Sequence, residues 1–329
     1  MNGAQDYSVA LKEALAFIEG HASFLVVSHV QPDGDAISST VVVAWLLNKL
    51  GKTALLVNES TLPSRLSYLH RFDDIQSLKT KPLEGTYDAV IAVDCADYRR
   101  IGQVAASFSE GAAILNIDHH PTNDGFGTVN VIRPEAAATV EILYDLIEAA
   151  GIPVDLDCAA AIYTGLITDT GGFRYSNTSP RVMVIAAKLL AIGVPGSELA
   201  DHLLEKMTIG KLKLLQTALS RLTFSDNLEI GWLYITKDDL RECGAVPEDL
   251  EGIVNYALNV DGVEVGILFK ETEAGQIKAS LRSAGKADVA AIAQLFGGGG
   301  HVRAAGCTLD GPIEAATDRV VEAVRKALV

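Results

Sequence analysis

Three short apolar runs near residues 24–28, 88–93 and 113–117 each pass straight into a cluster of carboxylates and imidazoles. The clusters are His29-Val-Gln-Pro-Asp33-Gly-Asp35, Asp94-Cys-Ala-Asp97 and Asp118-His119-His120. Apolar runs of that length read as buried strands. In open α/β sheets, ligand sites gather outside the carboxyl ends of strands. Fold and chemistry therefore point to one place.

Helical patterns separate these runs. Ile37, Val41, Trp45 and Leu46 form a stripe over 36–50, which Gly51 ends. A further strand is expected at 54–57, and helices at 135–149 and 158–168, the first of these ended by Gly151 and Pro153. Ahead of them, Leu11, Leu15 and Ile18 mark an amphipathic helix. Strand–helix alternation of this kind predicts an α/β fold, a mostly parallel sheet flanked by helices on both faces.

Gly193, Pro195 and Gly196 mark a break. The expected division is a domain over 1–195, a helical linker over 196–223, read as a helix from Ser197 to about Thr223, and a smaller α/β domain over 224–329. Strands are expected there at 229–236, 263–271 and 276–282, before a glycine run at 297–300 and His301.

Charge narrows the partners. Of 329 residues, 27 are Lys or Arg and 42 Asp or Glu, a net charge of −15. Proteins that grip long nucleic acid carry a basic face. This chain has no Lys/Arg run, so long duplex nucleic acid is not expected, whereas a local basic pocket for a small anion is compatible. No apolar stretch reaches the roughly 18 residues of a membrane span, and no secretory signal opens the chain. Cys95, Cys158, Cys243 and Cys307 are scattered and read as buried free thiols of a reducing, cytoplasmic compartment.

Of the seven histidines, His29, His119, His120 and His301 sit in motifs, and His21, His70 and His202 read as surface or interface residues. In the loop from His29 to Asp35, Gly34 is expected to bend the backbone so that three side chains converge; the other reading is a turn with Asp35 as helix cap. Asp94 closes its strand, and adjacent residues His119 and His120 point in different directions. Asp169 stands near Gly171 and Gly172, which are expected to leave room for ions or substrate. If Asp33, Asp35, Asp94 and Asp169 converge, four negative charges repel one another in a low-dielectric cleft unless divalent cations neutralise them. Oxygen-rich donors with imidazole suit manganese or magnesium better than thiolate-seeking metals.

These residues resemble the four ordered motifs of the DHH phosphoesterases: His29-x-x-x-Asp33-x-Asp35, Asp94, Asp118-His119-His120 and Asp169. The glycine run with His301, Arg303 and Gly306, and Ser280-Leu-Arg282-Ser283 upstream, resemble the DHH-associated C-terminal domain. The two-domain size is similar to stand-alone nanoRNases and 3′-phosphoadenosine 5′-phosphate phosphatases. Family II pyrophosphatases share the first motifs but end in a Lys/Arg-rich signature.

The resemblance implies one cation site of His29, Asp33 and Asp94, and a second of Asp35, Asp94, His119 and Asp169, bridged by Asp94. It implies that Asp94 and His120 are catalytic, His120 facing the phosphate, and that Asp118 orients a histidine. Arg282, Ser283, Gly299, Gly300, His301 and Arg303 would bind substrate, with the active centre in the cleft between domains. The implied reaction is hydrolysis of short oligoribonucleotides, 3′-phosphoadenosine 5′-phosphate or linear and cyclic di-adenylate, releasing mononucleotides or phosphate. Two divalent cations would assist, manganese first, with magnesium or cobalt as alternatives. A homodimer is implied as well. An inorganic pyrophosphatase or polyphosphatase, and a non-catalytic nucleotide sensor, remain the alternatives.

Overall fold

The computed structural model describes residues 2–328, which divide into two compact units between Lys206 and Met207. The first is built on strands β1 (Ser23–Ser28), β2 (Thr53–Asn58), β3 (Ile75–Ser77), β4 (Tyr87–Val93), β5 (Phe108–Asp118) and β6 (Val129–Ile132). Their order is β3-β2-β1-β4-β5-β6, and every pairing is parallel. Its helices are α1 (Asn2–Gly20), α2 (Gly34–Lys49), α3 (Thr139–Ala150), α4 (Leu156–Asp169), α5 (Pro180–Ile192) and α6 (Gly196–Ala200).

Alternation along β1 assigns the faces. Phe24 and Val26 join a large core with α1 to α5, whereas Leu25 and Val27 join a smaller one. Each fully buried aliphatic side chain is worth about 1.5–3 kcal/mol. The second face is closed by a 3₁₀ segment, Tyr98–Ser107, which inserts Ile101 and Val104 beside Cys95. The two faces are thus covered unequally, long helices lying on one only. Helix α2 is central, buried without interruption from Gly34 to Leu47.

Two expected helices differ from the structure. The helix predicted from residue 135 begins at Thr139, because its first N–H groups are capped by Asp35 from a distant part of the chain. The single helix expected from Ser197 breaks after α6 and one wide π-turn, Asp201–Glu205. Lys206 is extended, and Thr208 caps a new helix, α7 (Ile209–Ser220), accepting a hydrogen bond from Lys211 N at 2.8 Å. The boundary between units falls at this break, inside the segment read as linker. No single helix among the described residues is long and apolar enough to cross a membrane.

The second unit continues with β7 (Thr223–Phe224), β8 (Ile230–Ile235), α8 (Lys237–Cys243), α9 (Ile253–Leu258), β9 (Val265–Glu271), β10 (Ile277–Ser283), α10 (Val289–Gln294), β11 (Gly299–His301), β12 (Ala304–Leu309) and α11 (Ile313–Leu328). Its sheet order is β11-β12-β10-β9-β8-β7, with β8 and β9 the parallel pair. Period-two burial again splits the faces. Ile267 and Phe269 pack with α10 and α11, and Leu268 packs with α7 and α9. The glycine run is part of this sheet, since β11 pairs with β12. A Cβ at Gly298 would lie 2.6 Å from Cys307 Cβ, and one at Gly300 would lie 2.6 Å from Ala305 Cα. Two of the glycines are therefore demanded by backbone packing, while Gly299 faces open space.

Candidate metal centre

Strands β1, β4 and β5 are neighbours and run in one direction, so the residues after them converge. His29 follows β1, Asp94 follows β4, and His119 and His120 follow Asp118 at the end of β5. Asp94 is the hub. Its Oδ2 lies 3.4 Å from His29 Nε2, and its Oδ1 lies 3.6 Å from His119 Nε2. Asp33 approaches His29 Nε2 at 3.7 Å, and Asp169, the last residue of α4, approaches His119 Nε2 at 3.3 Å.

The outward nitrogens of both histidines are tied to the backbone. His29 Nδ1 lies 2.9 Å from Val30 O, and His119 Nδ1 lies 3.3 Å from Ala136 O. A carbonyl can only accept, so each Nδ1 donates and each Nε2 is the atom that faces the carboxylates. That is the tautomer a metal-binding histidine needs.

Asp94 itself sits at φ 58°, in the left-handed region that non-glycine residues avoid. Strain of this kind costs about 1 kcal/mol or more and persists where neighbours over-determine it. Here Asp94 N donates to Ile117 O at 3.0 Å, and Thr139 Oγ1 donates to Asp94 Oδ1 at 2.9 Å.

The aspartates of the first loop divide the work differently from the turn-and-cap reading. Asp33, not Asp35, caps α2, accepting from Asp35 N and Ala36 N at 3.1 Å. Asp35 lies inside α2, is wholly buried, and accepts from Thr139 N at 2.6 Å and Val140 N at 3.1 Å. Gly34 does not bend the chain; it is helical, and a Cβ there would meet the Thr168 methyl at 2.5 Å. Its smallness lets α4 approach. Nor do Gly171 and Gly172 leave space. The ring of Tyr175 lies against the first and the side chain of Leu204 against the second.

His120 Nδ1 is held by Asp118 Oδ1 at 2.7 Å, and Asn123 Nδ2 donates to Asp118 Oδ2 at 2.6 Å and to Cys95 O at 2.9 Å. Asp118 thus orients His120, and Asn123 ties the β5 loop to the β4 loop. Cys95 turns away into the apolar cluster. Asn123 and Thr139 were not found from the sequence. A threonine after three alanines, ahead of an apolar stripe, is a helix-cap signal that points to the second.

Charge within the cluster is unbalanced. Burial and the charges of Asp94 and Asp33 push the Asp35 carboxyl well above the usual range. Burial also opposes charge on Asp94, but His29 and His120 hold its carboxyl far below. Burial works against charge on His29, yet hydrogen bonds to Asp33 and Asp94 prevail and hold the imidazole up at about 10. Burial keeps His119 below its ordinary value. Divalent cations bound among these carboxylates would relieve the same imbalance.

The donors fit such cations. Within the first unit, the sets with all ligand atoms inside 4.8 Å include His29, Asp33 and Asp94, and Asp35, Asp94 and His119. They share Asp94. A third set, Asp94, Asp118 and His120, contains the short Asp118–His120 hydrogen bond and reads as that pair.

In the second unit, the residues read as substrate-binding gather at one end of the sheet. Ser283 ends β10, His301 ends β11, and Arg303 lies in the turn leading to β12. Ser283 N donates to Arg303 O at 3.0 Å, and the Arg303 guanidinium lies over Gly285, with Nη2 2.9 Å from where a Cβ would be. Arg282 donates to Leu281 O at 3.0 Å. Gly299 and Gly300 lead along β11 to His301. Of the remaining histidines, His21 packs on Phe17 and Phe24, His70 is exposed, and His202 packs on Tyr68.

Comparison with known proteins accords with both units. Residues 23–166 match the N-terminal domain of the DHH family, and residues 235–329 match the DHHA1 domain. The chain is 37% identical to a bifunctional oligoribonuclease and PAP phosphatase of Thermus thermophilus, over 96% of this chain and 93% of that one. It is 27% identical to the protein of the same description from Bacillus subtilis, over 90% and 92% of the two chains. Among solved structures, an exopolyphosphatase-related protein from Bacteroides fragilis superposes with a TM-score of 0.87 at 27% identity, covering 97% of this chain and 96% of the other.

Proposed function

This chain belongs to the DHH family and carries a DHHA1 domain, and from that premise we propose that it hydrolyses phosphoester bonds of short nucleotides with the help of two divalent cations. The substrates are oligoribonucleotides of a few residues and 3′-phosphoadenosine 5′-phosphate, the two activities named for the Thermus and Bacillus relatives. Di-adenylates fall within the same chemistry. Manganese is the favoured cation on donor type. We further propose a cytoplasmic enzyme that works as a homodimer.

The observation that carries this reading is the position of Asp94, with one oxygen toward His29 and the other toward His119. His29, Asp33 and Asp94 would hold one cation, and Asp35, Asp94, His119 and Asp169 the other. Cations bound there lower the pKa of water and offset charge on a phosphoryl group.

The side chains do the rest. Burial works against charge on His120, but the hydrogen bond from Nδ1 to Asp118 favours the charged imidazole, so that Nε2–H can donate to a phosphoryl oxygen. Thr139 steadies Asp94 and Asp35 together. Arg282, Ser283, Gly299, Gly300, His301 and Arg303 are assigned to the remainder of the nucleotide, guanidinium matching phosphate oxygens in pairs. The match of the second unit to DHHA1 weighs against a pyrophosphatase.

The test is a product assay over RNA of two to five nucleotides, 3′-phosphoadenosine 5′-phosphate, linear and cyclic di-adenylate, and pyrophosphate. Mononucleotide or phosphate release from the nucleotides, with manganese present and abolished by chelation, is expected. Pyrophosphate as the preferred substrate, or full activity in metal-stripped protein, would overturn it.

A further inference from the structure

Arg100 lies on the loop behind Asp94 and plays no part in the arrangement described so far. Asp97 caps the 3₁₀ segment that begins at Tyr98, accepting from Arg99 N at 2.9 Å and Arg100 N at 3.3 Å. Val30 N donates to Arg100 O at 2.8 Å, so the backbone of Arg100 is fastened to the residue next to His29. The following residue, Ile101, is fully buried in the core with Cys95. Arg100 is thereby held from both sides, where the ends of β1 and β4 meet.

Its side chain is half-buried, yet it makes neither a hydrogen bond nor an ion pair among the described residues. Other arginines of this unit behave differently. Arg71 pairs with Asp74, Arg133 with Asp145, and Arg181 with Asp145 and Glu148. In a chain of net charge −15, acidic partners are plentiful. A half-buried guanidinium without one gives up hydration for no compensating contact. The loop that carries Arg100 is tied to the His120 side of the cluster, since Asn123 Nδ2 donates both to Cys95 O and to Asp118 Oδ2, and Asp118 holds His120.

We propose that Arg100 is a catalytic residue that grips a non-bridging oxygen of the phosphoryl group under attack, beside His120. This rests on the phosphoesterase reading above. Guanidinium is suited to the task because its planar fork donates two parallel hydrogen bonds to phosphate oxygens. A cation fixed before the substrate arrives stabilises charge that builds on the phosphoryl oxygens without reorganising.

The experiment compares Arg100→Gln, Arg100→Lys and Arg99→Gln with the unaltered protein. Substrates are a dinucleotide with and without a 5′-phosphate, and 3′-phosphoadenosine 5′-phosphate. For Arg100→Gln, kcat/KM should fall about 10- to 100-fold on all three alike, and inhibition by inorganic phosphate should weaken with it. Cation content and unfolding temperature should stay unchanged. Arg100→Lys should recover part of the loss, and Arg99→Gln, which removes an exposed neighbouring charge, should match the unaltered protein. Wild-type kinetics in Arg100→Gln, a loss confined to the 5′-phosphorylated dinucleotide, or loss of bound cation would each overturn the assignment. Failure of the broader reading shows elsewhere, as an unaltered protein that cleaves no phosphoester.

Discussion

The two units reach a polar site by opposite routes. In the first, carboxylates and imidazoles are carried into the interior at the ends of three parallel strands, and Asp35, Asp94 and His119 are almost wholly inaccessible. In the second, the residues proposed to bind substrate stand on a sheet end made of glycines, a turn, half-buried Arg282 and exposed Arg303, and the core behind them is apolar. Concentrating charge inside a fold makes it depend on counter-ions; spreading donors over backbone and long side chains does not. On the proposed reading, chemistry needing preorganised charge would belong in the first unit, and recognition that tolerates adjustment in the second.

The sharpest way to break that comparison is Asp94→Asn. A single amide cannot serve both His29 and His119, so turnover should fall about 10²–10³-fold, with metal analysis showing both cations lost. Asp97→Asn, three residues along, should keep its cations, since Asp97 caps a 3₁₀ segment. An inactive Asp97→Asn beside an active Asp94→Asn would reverse the assignment.

Arg303→Ala comes next. Losing a charge-assisted phosphate contact costs about 1.5–3 kcal/mol. The Michaelis constant should rise about 10- to 100-fold while cation content, measured by equilibrium dialysis, stays at the wild-type value. Cation loss in this variant would erase the division of labour.

Smaller again is a pair within the glycine run. Gly300→Ala forces a Cβ against the Ala305 backbone at φ 143°, and chemical denaturation should show a loss of about 1–3 kcal/mol. Gly299→Ala should change stability by less than about 0.5 kcal/mol, since nothing lies in its way. Its effect, if it has one, should appear in substrate binding. Equal destabilisation by the two would mean that the run is a structural strand only.

The smallest effect is expected at Glu148, on the surface of the first unit. Burial acts against it, but hydrogen bonds from Lys188, Arg181 and Tyr144 hold its carboxyl at about 2. A depressed carboxyl contributes stability that is complete above about pH 4.5 and lost as pH falls through about 2. The side chain is 41% exposed, so solvent screening limits the gain to about 0.3–1 kcal/mol. Acid unfolding of Glu148→Gln should run nearly parallel to that of the unaltered chain, the two curves converging at the acid end.

Much of this was legible in the sequence, and the remainder shares one cause. Strand ends at His29, Asp94 and Asp118 are visible because apolar runs and polar stops are local patterns. The start of α3 is not, because its cap, Asp35, lies 104 residues away. Asp94's left-handed backbone is invisible too, since it is imposed by Ile117 and Thr139 rather than by its own neighbours. Gly34 reads as a hinge from its type, and only the approach of Thr168 shows it to be a spacer. The break at Lys206 lies within a segment of good helix formers, where propensity gave no warning. Strand β12 pairs with β10 and β11, and such pairing leaves little mark on a short alanine-rich stretch.

The carboxylate of Asp35 at the head of α3 has a consequence for synthesis. As the chain emerges from the ribosome, His29, Asp33 and Asp94 are available early, once β4 has joined β1. The second donor set must wait, because Asp35 is aimed by Thr139 and Val140, and Asp169 closes the helix after that. Contacts across so many residues form late in folding. On the proposed assignment, a growing polypeptide would acquire its two cations in sequence, one to a half-built sheet and one to a nearly finished domain. Until about 170 residues are out, it would hold at most the first, and chemistry that needs both could not begin.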